Sequence, residues 1–209
     1  MAVPCFWCEP TGAFVRFLRV FSSGQHCEAG GYCDARVIVG TVPAAEAVTR
    51  TAAPGEDAGT GARPWPTTCT RCGRPFHVKR STRQLFHEHE MRVVRVMPGA
   101  ARRVGAICWI GEREAIAGAM WDAAWMGSSF EGPDGRHLIV MLPNGREWAV
   151  DGRANNCTKP DDAIHRCWIR HGEPPDITVD KRGNTCSAGA GSIQAGDYHG
   201  FLRAGHLVQ

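Results

Sequence analysis

The chain has 209 residues, 43% hydrophobic and 22% charged residues and a formal net charge of +3, which suits one ample globular domain or two small ones. The near balance of 24 basic and 21 acidic residues excludes a chain-wide electrostatic attraction to nucleic acid or anionic membrane. No run approaches the roughly 18 apolar residues that span a bilayer, and the start lacks a secretory signal pattern, so we expect a cytoplasmic protein without membrane contact.

Many short apolar runs, together with 25 Gly and 13 Pro, favour strands and turns over long helices. Alternation of apolar and other residues predicts strands at 13–21 and 35–42. Residues 44–66 are rich in Ala, Gly, Thr and Pro, so they predict a flexible loop. MRVVRVM, residues 91–97, predicts a further strand that Pro98 ends.

The second half begins with the best candidate for a helix or turn-rich segment, residues 111–126, in which Trp121 and Trp125 would share one face. HLIVMLPNGREWAV, residues 137–150, predicts a β-hairpin that turns at Asn144-Gly145. We therefore predict a mainly β (small α+β) protein, strand-rich and zinc-stabilised, with few short helices. Its expected domains are a zinc-ribbon-like β module at 1–100, containing the 44–66 loop, and a β-rich domain at 101–209.

Ten cysteines in a chain without a secretory signal indicate metal or redox chemistry, since disulfides are disfavoured in reducing compartments. Two CxxC pairs stand out, Cys5 with Cys8 and Cys69 with Cys72, and Gly73 follows the second pair as it does in a zinc knuckle. A closed structural zinc site needs four donors in a tetrahedron. The two pairs together predict one zinc site that ties the amino terminus to the second knuckle.

Other residues compete for that site. Cys27 and Cys33 could replace either pair, and His87 or His89, from the run HEHE, could complete a site with Cys69 and Cys72. A thioredoxin-like role for the Cys69–Cys72 pair is disfavoured because Gly73-Arg74-Pro75 is a poor start for a helix.

The last third of the chain suggests a second zinc site. Cys157, His165, Cys167 and Cys186 could supply four donors, with His171 as the chief rival for the fourth place. If HRCWIRHG is a strand, His165, Cys167 and His171 share one side of it. The cofactor prediction is thus one zinc ion per chain, or two.

The same region resembles a family of Cys-rich actinobacteriophage and prophage proteins. The matching segments are GAMWDAAW at 118–125, NCTKPDDAIHRCWIRHGEPPDITVDK at 156–181 and TCSAGAGSIQAGDYHGFLRAG at 185–205. The tail is also similar to a phage domain of unknown function with an "LTPSI" element and a closing "HGFLRDG", although Gly191 stands where that pattern has proline. The resemblance implies a small strand-rich fold and a phage origin, and it implies no particular activity.

Three functions follow as hypotheses. The first is a non-enzymatic zinc-stabilised interaction protein, a capsid or tail accessory of the virion or a factor that binds a host protein. The second is a nucleic-acid binder acting in the host cytoplasm, through the basic residues Arg71, Arg74, Lys79, Arg80 and Arg83. The third is a zinc enzyme, for which the HEHE run has neither HExxH nor deaminase spacing. We therefore assign no catalytic residues.

Overall fold

The computed structural model describes residues 2–28, 31–43, 45, 64–93, 107–109, 116–126, 130–188 and 191–209. Strands make up 50% of the structure and helix only 2%, so the prediction of a mainly β fold is confirmed. The strands are β1 Ala2–Pro4, β2 Phe6–His26, β3 Tyr32–Pro43, β4 Ser81–Val93, β5 Ile107–Trp109, β6 Ala119–Asp122, β7 Leu138–Met141, β8 Glu147–Ala149, β9 Ile169–His171, β10 Thr178–Asp180, β11 Ile193–Ala195, β12 Tyr198–Arg203 and β13 His206–Val208. A short 3-10 turn covers Ala124–Met126.

The chain divides into two compact units. The first contains Met1–Pro10 and Met91–Gln209, and the second contains Thr11–Glu90. The first ten residues therefore group with the carboxyl-terminal part of the chain. The predicted boundary at residue 100 and nearly all of the predicted loop at 44–66 lie outside the described residues, and both stay predictions.

The first unit contains three groups of paired strands. β11, β12, β13 and β1 form a four-stranded sheet in which Ala2 lies opposite Val208. β9 pairs with β10, and β6, β7 and β8 form an antiparallel meander that the start of β2 joins in parallel through Phe6 and Trp7. The amino terminus is thus held by ladder hydrogen bonds on both of its strands.

Two apolar clusters fill this unit. The larger one contains the fully buried Leu138, Ile177, Ile193, Leu202 and Leu207, and its members come from the hairpin, from the β9–β10 region and from the terminal sheet. The smaller one forms around Trp121, which is only 2% exposed. Alternating residues of β6 and β7 belong to the two clusters, because successive side chains of a strand point to opposite faces.

The second unit is a three-stranded sheet. β3 pairs with β2 in antiparallel register from Ala13 opposite Pro43 to Ser22 opposite Cys33. β4 lies on the other side of β2, and a hydrogen bond from Thr11 to Glu90 (2.9 Å) marks one end of that contact. Both predicted strands, 13–21 and 35–42, lie inside β2 and β3.

Two expectations for the middle of the chain had different outcomes. The hairpin at 137–150 is present, with Ile139 opposite Ala149 and Gly145 at a φ of 74° in the turn. Of the two alternatives for 111–126, the helix is wrong in the described part, 116–126, which contains a turn, the strand β6 and a 3-10 turn. Trp121 is buried and Trp125 is 41% exposed, so the two do not share an environment. Their spacing of four matches a helix, but the apolar run Ala119–Trp121 lies in a strand that pairs with β7 and is buried there.

Candidate metal centres

Four cysteines of the second unit converge at one place, called here the first centre: Cys27, Cys33, Cys69 and Cys72. Cys27 follows the last residue of β2, and Cys33 is the second residue of β3, so the β2–β3 turn carries both. The backbone N–H of Cys27 donates to the carbonyl oxygen of Gly31 (2.9 Å), whose φ is 67°. Glycine accepts this left-handed conformation without a steric penalty, and the turn then brings two thiols to the end of the hairpin.

The other two thiols lie on a tight knuckle. The N–H of Cys69 donates to the carbonyl of Arg74 (2.8 Å), and the N–H of Gly73 donates back to the carbonyl of Cys69 (2.9 Å). Gly73 has a φ of 70°, the conformation expected of a glycine that follows a zinc knuckle. This closed turn folds Cys69 and Cys72 onto the same side.

The sulfur separations match a tetrahedral site. Sγ of Cys27 lies 3.9 Å from Sγ of Cys69, and Sγ of Cys33 lies 3.7 Å from Sγ of Cys72. A tetrahedron with metal–sulfur bonds of about 2.3 Å has edges of about 3.8 Å. A disulfide would need about 2.05 Å. The four sulfurs all lie within 4.8 Å of one another, so the first centre could hold a metal ion.

Cys5 and Cys8 are not among these donors, and this corrects the predicted pairing of the two CxxC motifs. Cys5 is buried in the larger apolar cluster of the first unit and Cys8 in the smaller one. The segment is extended rather than turned, and in an extended chain residues three apart point to opposite faces. Cys5 and Cys8 therefore cannot converge on one ion. Cys27 and Cys33, the alternative that the sequence left open, take their place.

The HEHE run is also separate from the first centre. It lies in β4, where His87 accepts a hydrogen bond from Arg16 Nε (3.2 Å) and the His89 ring lies 4.2 Å from the Phe14 ring, centroid to centroid. Glu88 forms an ion pair with Arg36 (3.5 Å). The run contributes to the surface of the sheet, and neither of its histidines completes the site.

Four donors of the first unit form the second centre: Cys157, His165, Cys167 and Cys186. Sγ of Cys186 lies 3.8 Å from Sγ of Cys167 and 4.0 Å from Sγ of Cys157. His165 Nε2 lies 3.5 Å from the Cys167 sulfur. With metal–nitrogen and metal–sulfur bonds of about 2.0 and 2.3 Å, the expected nitrogen–sulfur edge is about 3.6 Å. These are the four residues that the sequence predicts.

His165 is oriented for metal binding through Nε2. Its ring is fully buried, and Nδ1 lies 3.0 Å from the carbonyl oxygen of Asn184. A carbonyl can only accept, so Nδ1 carries the proton and Nε2 keeps its lone pair. The rival His171 is instead exposed, and its Nε2 contacts a carboxylate oxygen of Asp180 at 2.9 Å. The structure therefore places His165, and not His171, beside the three thiols.

Lys181 supports the second centre from behind, and the sequence alone did not indicate it. Its ammonium group donates to the carbonyls of Cys167 (3.1 Å), Cys186 (2.6 Å) and Ala188 (2.8 Å). Two of these carbonyls belong to donor residues, so one side chain fixes the backbone of two ligands. A divalent ion held by three thiolates and a neutral imidazole would carry one net negative charge, which the nearby ammonium would balance.

Burial and backbone N–H groups shift the pKa values of the thiols in both centres. Burial raises the pKa of Cys33 to about 12. Burial also acts to raise the pKa of Cys69, but N–H groups that include those of Cys72 and Arg71 lower it to about 6. In the second centre, the N–H of Thr158 contributes most to lowering the pKa of Cys186 to about 5.

Each centre thus contains a thiol favoured as thiolate beside one held as thiol: burial raises the pKa of Cys167 to about 11, as it raises that of Cys33. Crowded thiolates repel one another, so all the thiols of a centre ionise together only when a cation supplies the opposite charge. Both clusters have the chemistry of sites that could hold a metal ion.

The basic residues predicted for nucleic acid fall into two groups. Arg71 donates to the carbonyl of Tyr32, and Arg74 forms an ion pair with Glu28 (3.1 Å), so both are used beside the first centre. Lys79 and Arg80 are exposed, next to a Val78 that is 80% exposed. The guanidinium of Arg83 lies 5.9 Å from the Trp65 ring centroid.

Comparison with protein-family models, curated proteins and solved structures gives no match to this chain. No helix in the described ranges is long and apolar enough to cross a membrane.

Proposed function

We propose that this is a zinc-binding, non-enzymatic structural or interaction protein whose two centres fix short β-elements in place. The observation that carries the proposal is the donor geometry: seven sulfurs and one imidazole nitrogen in two sets, with edges of 3.5–4.0 Å among the measured pairs. Sulfur-rich tetrahedra of this size suit Zn²⁺, because thiolates are the donors that closed structural zinc sites use.

Saturated donor sets support a structural role. A catalytic zinc keeps one position for water or substrate, whereas each of these sets already supplies four protein donors. Zinc would hold together parts distant in sequence: the β2–β3 turn with the knuckle in one unit, and the loops of Cys157 and Cys186 with His165 and Cys167 in the other. Small β modules bury little apolar surface, so such clamps replace part of a core.

The metal content of the purified protein tests this proposal. We expect two zinc ions per chain by inductively coupled plasma mass spectrometry, in protein purified without added metal and exchanged into metal-free buffer. One zinc would limit the proposal to a single centre. Less than half an equivalent of any metal would contradict it, and iron in place of zinc would change the identity of the cofactor.

The proposed partner is another protein, either a component of a phage particle in which this chain is a capsid or tail accessory or a protein of the infected host. The resemblance of residues 118–125 and 156–205 to actinobacteriophage proteins supports a phage origin, and an accessory role suits a small protein with closed metal sites. Mass spectrometry of purified phage particles tests whether the chain is a particle component. If the chain is absent from the particle, the proposal would change to a protein that acts in the host cytoplasm.

Nucleic acid is the second candidate partner. Lys79 and Arg80, which are exposed beside Val78, support this possibility. Arg74 and Arg71 support it less, because Arg74 forms an ion pair with Glu28 and Arg71 donates a hydrogen bond to the Tyr32 carbonyl. Phosphate contacts make affinity fall steeply between about 50 and 200 mM salt. A gel-shift assay at these two concentrations, with Lys79→Ala as the variant, distinguishes the two partners.

A further inference from the structure

A cavity of about 470 Å³ lies in the first unit, apart from both sets of metal donors. Its characteristic lining residues are Glu147, Trp148, Asn155, Asn156, Trp168 and Gln194. The volume falls within the range of about 300–1,000 Å³ that small-molecule sites occupy. Such sites combine aromatic walls with a few polar groups, and this one has both.

The aromatic part of the cavity is a rigid corner. The rings of Trp148 and Trp168 lie 5.5 Å apart, centroid to centroid, with an angle of 89° between their planes. Trp168 is buried, and its indole N–H donates to the carbonyl of Ser192 (3.2 Å), which fixes its orientation. Trp148, which is half-buried, supplies most of the aromatic surface that a ligand can reach, and the edge-to-face contact with Trp168 fixes its ring. Aromatic surface binds the C–H face of a ring without requiring charge.

The polar part of the cavity is close to neutral. Asn155, Asn156 and Gln194 are exposed, and each primary amide offers both donors and an acceptor. Glu147 adds a carboxylate. These groups match a ligand whose hydroxyls both donate and accept.

Among the described residues that line the cavity, Arg153 is the one cation, and its guanidinium is already hydrogen-bonded. Arg153 donates to the carbonyls of Lys159 (2.5 Å), Pro160 (2.9 Å) and Asp162 (2.5 Å). Its guanidinium therefore closes the neighbouring loop rather than facing a ligand. This lining therefore offers no unengaged guanidinium to pair with a phosphate.

The wall opposite the hairpin is held in place by the second centre. The backbone N–H of Ala154 donates to Sγ of Cys167 (3.3 Å), and Asn156 immediately precedes the donor Cys157. The cavity thus has preformed walls on both sides, which lowers the entropic cost of binding.

We infer that this cavity binds a short neutral saccharide, which packs the C–H face of a sugar ring against the tryptophan corner and directs its hydroxyls to the amides and to Glu147. The inference goes beyond the proposed function, because every contact with the saccharide comes from the lining residues themselves.

A printed array of neutral mono- to tetrasaccharides tests this inference, followed by calorimetric titration with the glycan that gives the strongest signal. We expect at least one glycan to bind, and Trp148→Ala to weaken binding about tenfold or more through the loss of the ring surface. Because Trp148 is half-buried, the exposed double variant Asn155→Ala/Gln194→Ala provides a second test, and it should weaken binding several-fold with an unchanged circular dichroism spectrum.

Trp125→Ala is the matched control, since Trp125 does not line the cavity, and it should bind as the wild type does. Absence of binding to every glycan, binding unaffected by both cavity variants, or preferential binding of adenosine monophosphate would each overturn the inference. Zinc measured in the same samples separates the two proposals: a protein with two zinc ions that binds no glycan leaves the metal proposal standing, and the reverse result leaves the cavity standing.

Discussion

Replacing Cys33 by alanine should remove one of two bound zinc ions and unfold the Thr11–Glu90 unit. Cys33 is completely buried, and its sulfur lies 3.7 Å from that of Cys72. Structural zinc contributes about 10–16 kcal/mol in isolated finger peptides, which is comparable to the whole stability of a domain, about 5–15 kcal/mol. Metal analysis and hydrogen exchange of peptides from residues 11–28 and 64–90 measure the two effects.

Cys8→Ala is the matched control for that experiment. Cys8 is also buried, only 1% exposed, but it lies in the apolar cluster around Trp121. Its removal should leave both zinc ions bound and cost about 1 kcal/mol or somewhat more, as the loss of a small buried side chain does. Zinc lost from Cys8→Ala and kept by Cys33→Ala would restore the pairing of the two CxxC motifs and refute the first centre.

The second large effect is expected at His165. His165→Ala should lower the zinc content from two ions to one, because it removes a donor whose Nε2 lies 3.5 Å from Cys167 Sγ. His171→Ala provides the comparison, since His171 is exposed and contacts Asp180. That substitution should leave both ions bound and cost at most about 1 kcal/mol, the usual contribution of a surface ion pair.

The thermal unfolding of these two histidine variants separates a metal role from a packing role. If His165 binds zinc, a chelator should lower the melting temperature of the wild type towards that of His165→Ala and should have a smaller effect on the variant. An equal effect of chelator on both proteins would show that His165 is not a donor.

The second centre was predictable because its donors are close in sequence and lie on turns. Cys157, His165 and Cys167 fall within eleven positions, and the intervening proline and aspartates indicate a loop. What the sequence could not supply was the choice between His165 and His171. That choice depends on the Asn184 carbonyl, which lies nineteen positions from His165 and meets it only in the folded chain.

The first centre was half predictable, for a geometric reason. A CxxC pair converges on a metal only from a tight turn, and Gly73 indicates such a turn after Cys72. Cys8 is followed by Glu9 and Pro10 and preceded by Phe6-Trp7, which favour an extended chain. The glycines between Cys27 and Cys33 were the better signal. Two thiols six positions apart at a hairpin turn can converge on one ion, whereas a CxxC pair in a strand cannot.

Some strands could be predicted from local sequence, whereas another depends on pairing with a distant segment. Alternation and the Asn-Gly turn predicted the β2, β3 and β7–β8 elements, because one buried face and a tight turn are local properties. The helix predicted as one alternative for residues 116–126 is absent because Ala, Met and Trp at this spacing suit a helix or a buried strand equally well. The segment forms a strand rather than a helix because it pairs with β7, and the local sequence does not encode that pairing.

X-ray absorption spectroscopy at the zinc edge tests the central claim most directly. The two centres offer four sulfurs, and three sulfurs with one nitrogen, so the account predicts an average first shell of about 3.5 sulfurs at about 2.3 Å and about 0.5 nitrogen at about 2.0 Å. A first shell dominated by oxygen, or one with two or fewer sulfurs per zinc, would contradict it.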